Sequence, residues 1–452
     1  MPEAFDLGAF TLAYAPLIDR QRQVVGTRLT VFPQPGTGAA DAGALLAALD
    51  SVWPRPEGAA GEGAAPLQLR LRALGEPHSP AATPAGPAGA RSAASATAAA
   101  PARAATSPPK LQSPLLLTIA GEDLLRAVMA AGPGAQVLLE VPAFIAADAG
   151  LAVTLVALRD RGTPLLLQGR PRAPLPAALA GCFVHRLLGA AEVGAPALAA
   201  DLPGAPATGL VCDGVRSAAA AEAAFKAGAL AVSGWPFDDN LPPAGARRSV
   251  PADLQVVMSL VSAVDKEAPV SQLEAILKRD PTLAFRLMRY LNSPAFGLSV
   301  EINSFGHALM LLGYQRLKRW LALLLASSSK DVNAKPLLFA AVRRGLLMEE
   351  LVRQQGDAEL RGELFICGVF SLLDRLLGQP MAELLASVPV PERVAQALRS
   401  EGGPHAPLLA LVQAVEAAAA YDIREQAEAL LIAPGELNRA VLAALAAARQ
   451  LD

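Results

Sequence analysis

The spacing of hydrophobic residues changes about halfway along the chain. In the first half, short apolar runs alternate with helical patterns, as where the run at residues 115–120 precedes helical spacing over 123–131. Continuous runs are typical of strands buried on both faces of a parallel sheet. Further strands are predicted at residues 10–19, 24–32, 66–74, 136–142, 164–169, 183–188, 209–215 and 229–234, and further helices at 41–53, 149–161 and 217–227. The alternation predicts an α/β fold that closes as a (β/α)8-type barrel.

Strand patterns stop after residue 240. Every pattern beyond residue 251 has the period of a helix, so an all-α domain is predicted there. Its helices are predicted at residues 315–328, 337–354, 358–377, 381–386, 392–399, 408–421 and 435–449. The expected organisation is a barrel over residues 1–240, a linker over 241–250 and a helical domain over 251–452.

One segment inside the first domain has no hydrophobic periodicity. Residues 76–110 consist almost wholly of Ala, Pro, Ser, Thr and Gly. Such a composition cannot bury enough apolar surface to offset the entropy of an ordered chain. We therefore expect a disordered insert, most simply a spacer.

The helical half contains one stretch, residues 280–313, with a sequence of clear start and stop signals. Asp280 is a favourable N-cap residue, and Pro281 suits the first helical position. An Asn-Ser-Pro sequence at 292–294 then ends the helix, because proline disfavours helical geometry in the residue before it. Gly313 is placed to end the following helix. The pattern predicts a helix, a tight turn and a second helix.

Three motifs in this stretch, DP-x-L, NS-x-x-F-G and A-x-x-L-G, follow one another in a fixed order. In this combination the stretch resembles the HDOD domain, a non-catalytic relative of the HD phosphohydrolases in bacterial signalling proteins. The turn is expected to be held by side-chain bonds from its Asn and Ser to the backbone. The signature residues, for which the resemblance implies structural roles, are Asp280, Pro281, Asn292, Ser293, Gly297 and Gly313.

The metal ligands of an HD enzyme are missing from the sequence. Residues 365–374 occupy the place where HD enzymes carry G-L-L-H-D, but this chain has Phe370-Ser371 there and no His-Asp dyad. Two of its four histidines, His307 and His405, lie in the helical half, and neither has an adjacent Asp. We therefore expect no metal in this domain.

The barrel half resembles the EAL domain, a phosphodiesterase module for cyclic di-GMP. The resemblance lies in three strands: Y-A-P-L at 14–17, C-D-G-V at 212–215 and S-G-W at 233–235. An EAL enzyme uses carboxylates at the carboxyl ends of its strands to hold two divalent cations, which activate water. The resemblance therefore implies a barrel of the EAL type, and its chemistry depends on whether those carboxylates are present.

Most of the implied ligand positions are substituted. Arg28 stands where the family has the Glu that names it, a reversal of charge, and the family's metal-binding Asn falls near Thr118. Glu140 and Asp213 keep a carboxylate, whereas the family's Asp-Asp pair aligns with Gln168 and Gly169. The region of the catalytic Lys aligns weakly with His185. The vestigial positions of the site are thus Arg28, Glu140, Gln168, Gly169 and Asp213. We expect no catalytic residue, no cofactor and no bound metal.

Net charge and composition limit the classes of partner that the chain is expected to bind. The formal net charge is -2, which does not indicate nucleic acid or membrane as a partner. Aromatic residues make up 4% and no recognition motif occurs, so the basic residues around the central helices are interpreted as solvated faces. Among them, Arg286 and Arg289 are proposed as a partner surface. Arg343-Arg344 beside Glu349-Glu350 is interpreted as ordinary surface charge.

The three cysteines are widely spaced, and the first ten residues lack a secretory pattern, so a cytoplasmic location is expected. The resemblances together imply a non-catalytic signalling or regulatory scaffold that acts through protein–protein contacts. Two alternatives stay open: a cyclic di-GMP receptor without hydrolysis, and a residual phosphodiesterase. A homodimer is a further alternative, because EAL barrels tend to dimerise.

Overall fold

The computed structural model of the chain describes residues 7–34, 41–54, 115–172, 174–179, 181–192, 209–237, 252–277, 313–314, 317–318, 321–324, 334–354, 358–387 and 390–451. Four predictions lie outside these residues: the strand at 66–74, the insert at 76–110, the linker at 241–250 and the stretch from 280 to 312. The predicted helix at 315–328 is described only in short pieces.

Eight strands of the described residues form a closed barrel, in which each strand lies beside its neighbours in chain order. They are β1 Phe10–Asp19, β2 Val24–Pro33, β3 Leu115–Ile119, β4 Val137–Pro142, β5 Leu165–Gln168, β6 Phe183–Gly189, β7 Gly209–Val215 and β8 Ala229–Gly234. The predicted fold class, an eight-stranded barrel in the first half of the chain and an all-helical second half, is confirmed.

The apolar runs predicted a parallel sheet, and β3 to β8 form one. The barrel as a whole is not fully parallel. β1 runs antiparallel to both β2 and β8, and only the other neighbouring pairs are parallel. The reason is the short connection between β1 and β2, since parallel neighbours need a crossover of a dozen or more residues. The turn is held where the Gln23 N–H donates to Asp19 Oδ1 (2.8 Å), and Arg22 adopts a φ of 59°.

The barrel interior is packed with apolar side chains. A cluster of six buried residues from six strands fills it: Leu17, Leu116, Leu138, Leu166, Leu187 and Val211. The helices of this domain are α1 Ala42–Val52, α2 Glu122–Ala131, α3 Ala143–Ala146, α4 Ala152–Asp160 and α5 Ala218–Lys226. Two of them begin at side-chain caps, with Asp41 accepting from Gly43 N and Ala44 N and Ser217 accepting from Ala220 N. Polar chemistry is therefore confined to the ends of the barrel.

The rest of the described chain is helical. Its helices are α6 Ala252–Asp265, α7 Val270–Leu277, α8 Ala334–Leu351, α9 Ala358–Phe370, α10 Leu373–Leu377, α11 Met381–Ser387, α12 Glu392–Leu398, α13 Ala406–Glu416, α14 Ala420–Ala429 and α15 Pro434–Leu451. Within the described ranges, no single helix is long and apolar enough to cross a membrane, and one pair that passes on length and composition, α14 with α15, is bent by 110°.

Two predicted helices differ from the observed ones. The predicted helix at 358–377 is interrupted between α9 and α10, where the Ser371 hydroxyl donates to the Gly368 carbonyl (2.6 Å). A side chain that bonds to its own helix competes with the backbone pattern and favours an end. The predicted helix at 408–421 ends at Glu416, because Ala418 adopts a left-handed φ of 52° before α14 begins.

The two domains share one core. Along β1, pairing with β2 extends from Phe10 to Ile18, but pairing with β8 covers only Leu17–Asp19. The first part of β1 therefore projects beyond β8, and α13, α14 and α15 pack against it. Residues of the barrel and of the helical domain belong to a single contiguous cluster of buried apolar side chains.

Asn438 of α15 completes this contact. Its Oδ1 accepts from the Leu12 N–H (2.9 Å), and its Nδ2 donates to the carbonyls of Leu7 (2.8 Å) and Phe10 (2.9 Å). The side chain thus takes the place of a neighbouring strand on the β1 edge, whose backbone groups otherwise lack partners once buried. Asn438 itself is fully buried.

Candidate active site in the barrel mouth

The barrel positions four polar side chains at the carboxyl end of its parallel strands, here called the barrel mouth: Arg28 of β2, Thr118 of β3, Glu140 of β4 and Asp213 of β7. Side chains alternate across a strand, so Thr118 and Glu140 face the same way as the interior Leu116 and Leu138, two residues before them. Polar residues two positions after the buried core layer therefore face the same end of the barrel, and this places the four side chains close together.

Arg28 makes hydrogen bonds to each of the other three residues. Its Nε and Nη2 donate to Glu140 Oε2 and Oε1 at 3.1 and 3.0 Å, a bidentate pair, and Nε also donates to Thr118 Oγ1 at 3.0 Å. Its Nη1 donates to Asp213 Oδ2 at 2.6 Å. The Thr118 hydroxyl donates to Glu140 Oε2 at 2.6 Å. Both surviving carboxylates are therefore held by one guanidinium.

The electrostatics of the barrel mouth follow from burial. The Glu140 side chain is 1% exposed, that of Arg28 13% and that of Asp213 29%. Burial raises the pKa of Glu140, while the Arg28 guanidinium and the Thr118 hydroxyl oppose that rise. Burial alone lowers the pKa of Arg28, but the two carboxylates outweigh it, and the net direction is upward. Arg28 thus stays charged and supplies the positive charge at this point.

The other positions aligned with the EAL site lie apart from this network. Gln168 ends β5, and Gly169 adopts a φ of 79° and donates its N–H to the Leu187 carbonyl (2.9 Å). His185 of β6 pairs with Gly209, the first residue of β7, four residues before Asp213. It is therefore nearer the amino ends of the strands, away from the barrel mouth, and its burial lowers its pKa. Within the described residues, no cluster of three or more His, Cys, Asp or Glu could hold a metal.

Sequence reasoning missed a second buried network, in the helical domain. Arg343 and Arg344 of α8 are 3% and 6% exposed, so their interpretation as surface charge was wrong. Arg344 donates from Nε and Nη2 to the Glu416 carboxylate at 3.1 and 2.5 Å, and from Nη1 to Ser371 Oγ at 2.8 Å. The signal was present in the helical spacing, because Phe339 and Leu347, four residues either side of Arg343, are both buried.

This second network lies at the place where HD enzymes carry their dyad. Ser371 stands in that sequence region, and it is the residue that Arg344 contacts. A separate buried pair joins His405 Nε2 to Glu363 Oε2 at 3.1 Å, and Arg393 donates to the other oxygen of Glu363. Both halves of the chain thus bury an Arg–carboxylate pair.

The sequence-predicted signature is described only in part. Gly313 adopts a φ of 70°, the left-handed conformation of a glycine that ends a helix. The other positions, Asp280, Pro281, Asn292, Ser293 and Gly297, and the proposed partner surface Arg286 and Arg289, lie outside the described residues.

A comparison with protein families matches the description "HDOD domain" to residues 250–400. The chain contains an HDOD domain. The match covers α6 to α12, so the helices α13 to α15, which join the barrel, follow the matched segment. A closed barrel precedes this domain in the chain, as predicted from the sequence.

Two curated relatives show similarity over part of the chain. An uncharacterized protein of Bacillus subtilis, YuxH, is 30% identical over 164 residues, which are 35% of this chain and 39% of the relative. A Vibrio cholerae protein named cyclic di-GMP phosphodiesterase CdgJ is 29% identical over 173 residues, 38% of this chain and 40% of the relative. The chain therefore spans about two fifths of the length of these relatives.

Solved structures that are similar to this chain include Bd1971 and BlrP1. The EAL enzyme Bd1971 in its cGMP-bound form is 12% identical, with 50% of this chain and 60% of that chain covered and a TM-score of 0.28. BlrP1 of Klebsiella pneumoniae, in a complex with calcium and cyclic di-GMP, is 13% identical, with 52% and 57% covered and a TM-score of 0.27.

Proposed function

We propose that this EAL–HDOD chain is a non-catalytic regulator in cyclic di-GMP signalling, which acts through contacts with other signalling proteins. The observation that carries the proposal is the bonding of one guanidinium, that of Arg28, to both carboxylates of the barrel mouth. Three carboxylate oxygens, both of Glu140 and Oδ2 of Asp213, accept N–H donors from Arg28, so the pair is not arranged to receive a cation.

The chemistry of phosphodiester hydrolysis supports this reading. A two-metal site polarises the phosphate and lowers the pKa of bound water to generate hydroxide near neutral pH. A guanidinium can neutralise phosphate charge, but it stays protonated in proteins and has no open coordination position for water. Arg28 therefore supplies the charge of a cation without its ability to make a nucleophile.

The test is an assay of the full chain with cyclic di-GMP in Mg²⁺ or Mn²⁺, beside Glu140→Ala and Asp213→Ala. We expect the same slow hydrolysis as in buffer for all three proteins. Glu122→Ala serves as the matched control, because Glu122 lies in an exposed i,i+4 pair with Arg126 on α2. Turnover by the native chain that disappears in Asp213→Ala but persists in Glu122→Ala would overturn the proposal.

A nucleotide receptor without hydrolysis is the second candidate. It is favoured by the partial exposure of the barrel mouth, where the side chains of Arg28 and Asp213 are 13% and 29% exposed. A guanidinium can bind a phosphate through two parallel N–H donors, provided that it exchanges a carboxylate for the ligand. Calorimetric titration with cyclic di-GMP decides this candidate: heat at micromolar ligand that is lost in Arg28→Met supports it, and no heat excludes it.

A further inference from the structure

The two buried Arg–carboxylate networks are connected through neighbouring residues on β2. Arg28 points into the barrel mouth, and Thr27, the residue before it, lies on the opposite face of the strand. On that outer face Thr27 is 3% exposed, and its Oγ1 accepts a hydrogen bond of 2.7 Å from Arg343 Nη2. A shift of β2 at Arg28 must therefore also move the acceptor of Arg343.

Neighbouring residues on α8 make the next connection. The Arg343 guanidinium stacks over the Phe339 ring at 3.9 Å and lies 5.6 Å from the Tyr14 ring, so its position is defined by the barrel and by its own helix. Arg344, the next residue, donates to Glu416 of α13 and to Ser371, both in the helical half of the chain. Thr27-Arg28 and Arg343-Arg344 thus form two adjacent pairs that meet at one hydrogen bond.

A second set of contacts connects the barrel to the same residue, Glu416. Trp235 follows β8 directly, and its Nε1 donates to the main-chain carbonyl of Glu416 at 2.7 Å. Its ring also contacts Tyr14 edge-on, with centroids 6.1 Å apart. Glu416 is thereby bonded through its backbone to the barrel and through its side chain to Arg344. Arg344 and Glu416 are both buried and are paired with each other, so removing either one leaves the other charge desolvated.

We propose that Thr27, Arg343 and Arg344 form an interdomain joint, which couples the ionic pairing of Arg28 in the barrel mouth to the Arg344–Glu416 pair of the helical half. A ligand or cation that draws Arg28 away from its carboxylates would then loosen α13 through β2 and α8. The joint is a property of the contacts alone, so it holds whether or not the barrel hydrolyses a nucleotide.

Hydrogen exchange of the full-length chain tests the joint, with mass spectrometric readout over α13 and α12. We expect Arg28→Met to speed exchange in α13 about tenfold more than in α12 of the helical half. In a Thr27→Val background, this excess of α13 over α12 should fall to about twofold or less, because coupled residues act non-additively.

Arg126→Met is the control, since it removes an arginine from an exposed pair of the same domain. An equal factor for Arg28→Met in both backgrounds would contradict the joint, as would a uniform increase over α12 and α13 or an unchanged α13. If Arg28→Met does not fold, Arg28→Lys keeps the charge but loses the bidentate bond, and the same comparison between backgrounds applies.

Discussion

Arg28 is the residue on which the chemistry of the barrel mouth depends. Its side chain is only 13% exposed, yet its N–H groups are bonded to two carboxylates and a hydroxyl. A buried charge is tolerated only with such partners, because the loss of hydration must be offset by direct bonds. One substitution in a strand thus replaces a carboxylate by a cation and changes what the mouth can bind.

Removing this guanidinium should lower the free energy of unfolding. Arg28→Met leaves the Glu140 carboxylate buried beside Asp213 without its bidentate partner, so we expect a loss of about 3–5 kcal/mol in unfolding free energy near neutral pH. Urea denaturation followed by circular dichroism measures it, with Arg126→Met as a control that leaves the midpoint unchanged. A loss below about 1 kcal/mol would mean that the network contributes little.

The same variant should have a stability that depends on pH. Burial already raises the pKa of Glu140 and Arg28 opposes the rise, so the pKa rises further in Arg28→Met. The folded variant then keeps a proton that the unfolded chain releases, and its stability falls as pH rises from about 5 to 8. Denaturation midpoints over that range check the sign: a variant that is more stable at the upper end contradicts the assignment.

The cysteines provide a prediction that is independent of Arg28. All three are buried, and burial raises the pKa of Cys212 to about 11 and that of Cys367 to about 12. Because the thiolate is the reactive form, neutral thiols at these positions should react slowly. We expect a chromogenic disulfide reagent at pH 8 to label the folded chain far more slowly than the urea-unfolded chain. Rapid labelling of the folded chain would contradict the burial of these thiols.

At the scale of elements, sequence patterns located most strands well but did not predict that β1 runs antiparallel to its neighbours. Continuous apolar runs predicted β1, β7 and β8 with the observed bounds, because strands buried on both faces leave that signature. The direction of β1 depends on the short turn after Asp19, and an apolar run by itself carries no direction. Breaks within helices, as at Ser371, depend on a single side-chain bond that periodicity does not register.

The candidate site was predictable in its members but not in its bonding. The resemblance to the EAL domain identified Arg28, Glu140 and Asp213, and the barrel brings them together. The joint residues Arg343 and Arg344 were wrongly interpreted as surface charge, because their partners Thr27 and Glu416 are distant in sequence. Asn438 was missed for the same reason, since its partners on β1 lie more than 400 residues away.

Asn438 gives the element-scale prediction. In Asn438→Ala the buried Leu12 N–H loses its partner and the Phe10 carbonyl keeps only the 3.4 Å bond from Gln34 Nε2, so we expect a loss of about 2 kcal/mol or more in unfolding free energy. Chemical denaturation measures the loss, and Arg439→Ala, at the exposed neighbouring position, is the control. Equal midpoints for both variants would show that the β1 edge does not depend on this side chain.

At the scale of the whole molecule, the barrel and the HDOD domain share one cluster of buried side chains. Helices that follow the HDOD match cover the projecting part of β1, so separation of the domains would expose apolar surface and unpaired backbone together. A chain of this kind is better suited to present a composite surface to a partner than to let its domains move freely.

Shared burial predicts cooperative unfolding. In a Trp320→Phe background, tryptophan fluorescence reports on the barrel through Trp53 and Trp235, and far-ultraviolet circular dichroism reports mainly on the helices. We expect the two signals to follow the same urea transition, because neither domain keeps its core without the other. Two separated transitions would show that the domains are independent.

The measurement that bears most directly on the central claim is the rate of cyclic di-GMP hydrolysis by the full-length chain in saturating Mg²⁺ or Mn²⁺. With Arg28 bonded to both Glu140 and Asp213, the account predicts a rate equal to that of buffer alone. Turnover by the native chain that is abolished by Asp213→Ala would contradict it, because it would require Arg28 to leave the carboxylates and a metal to take its place.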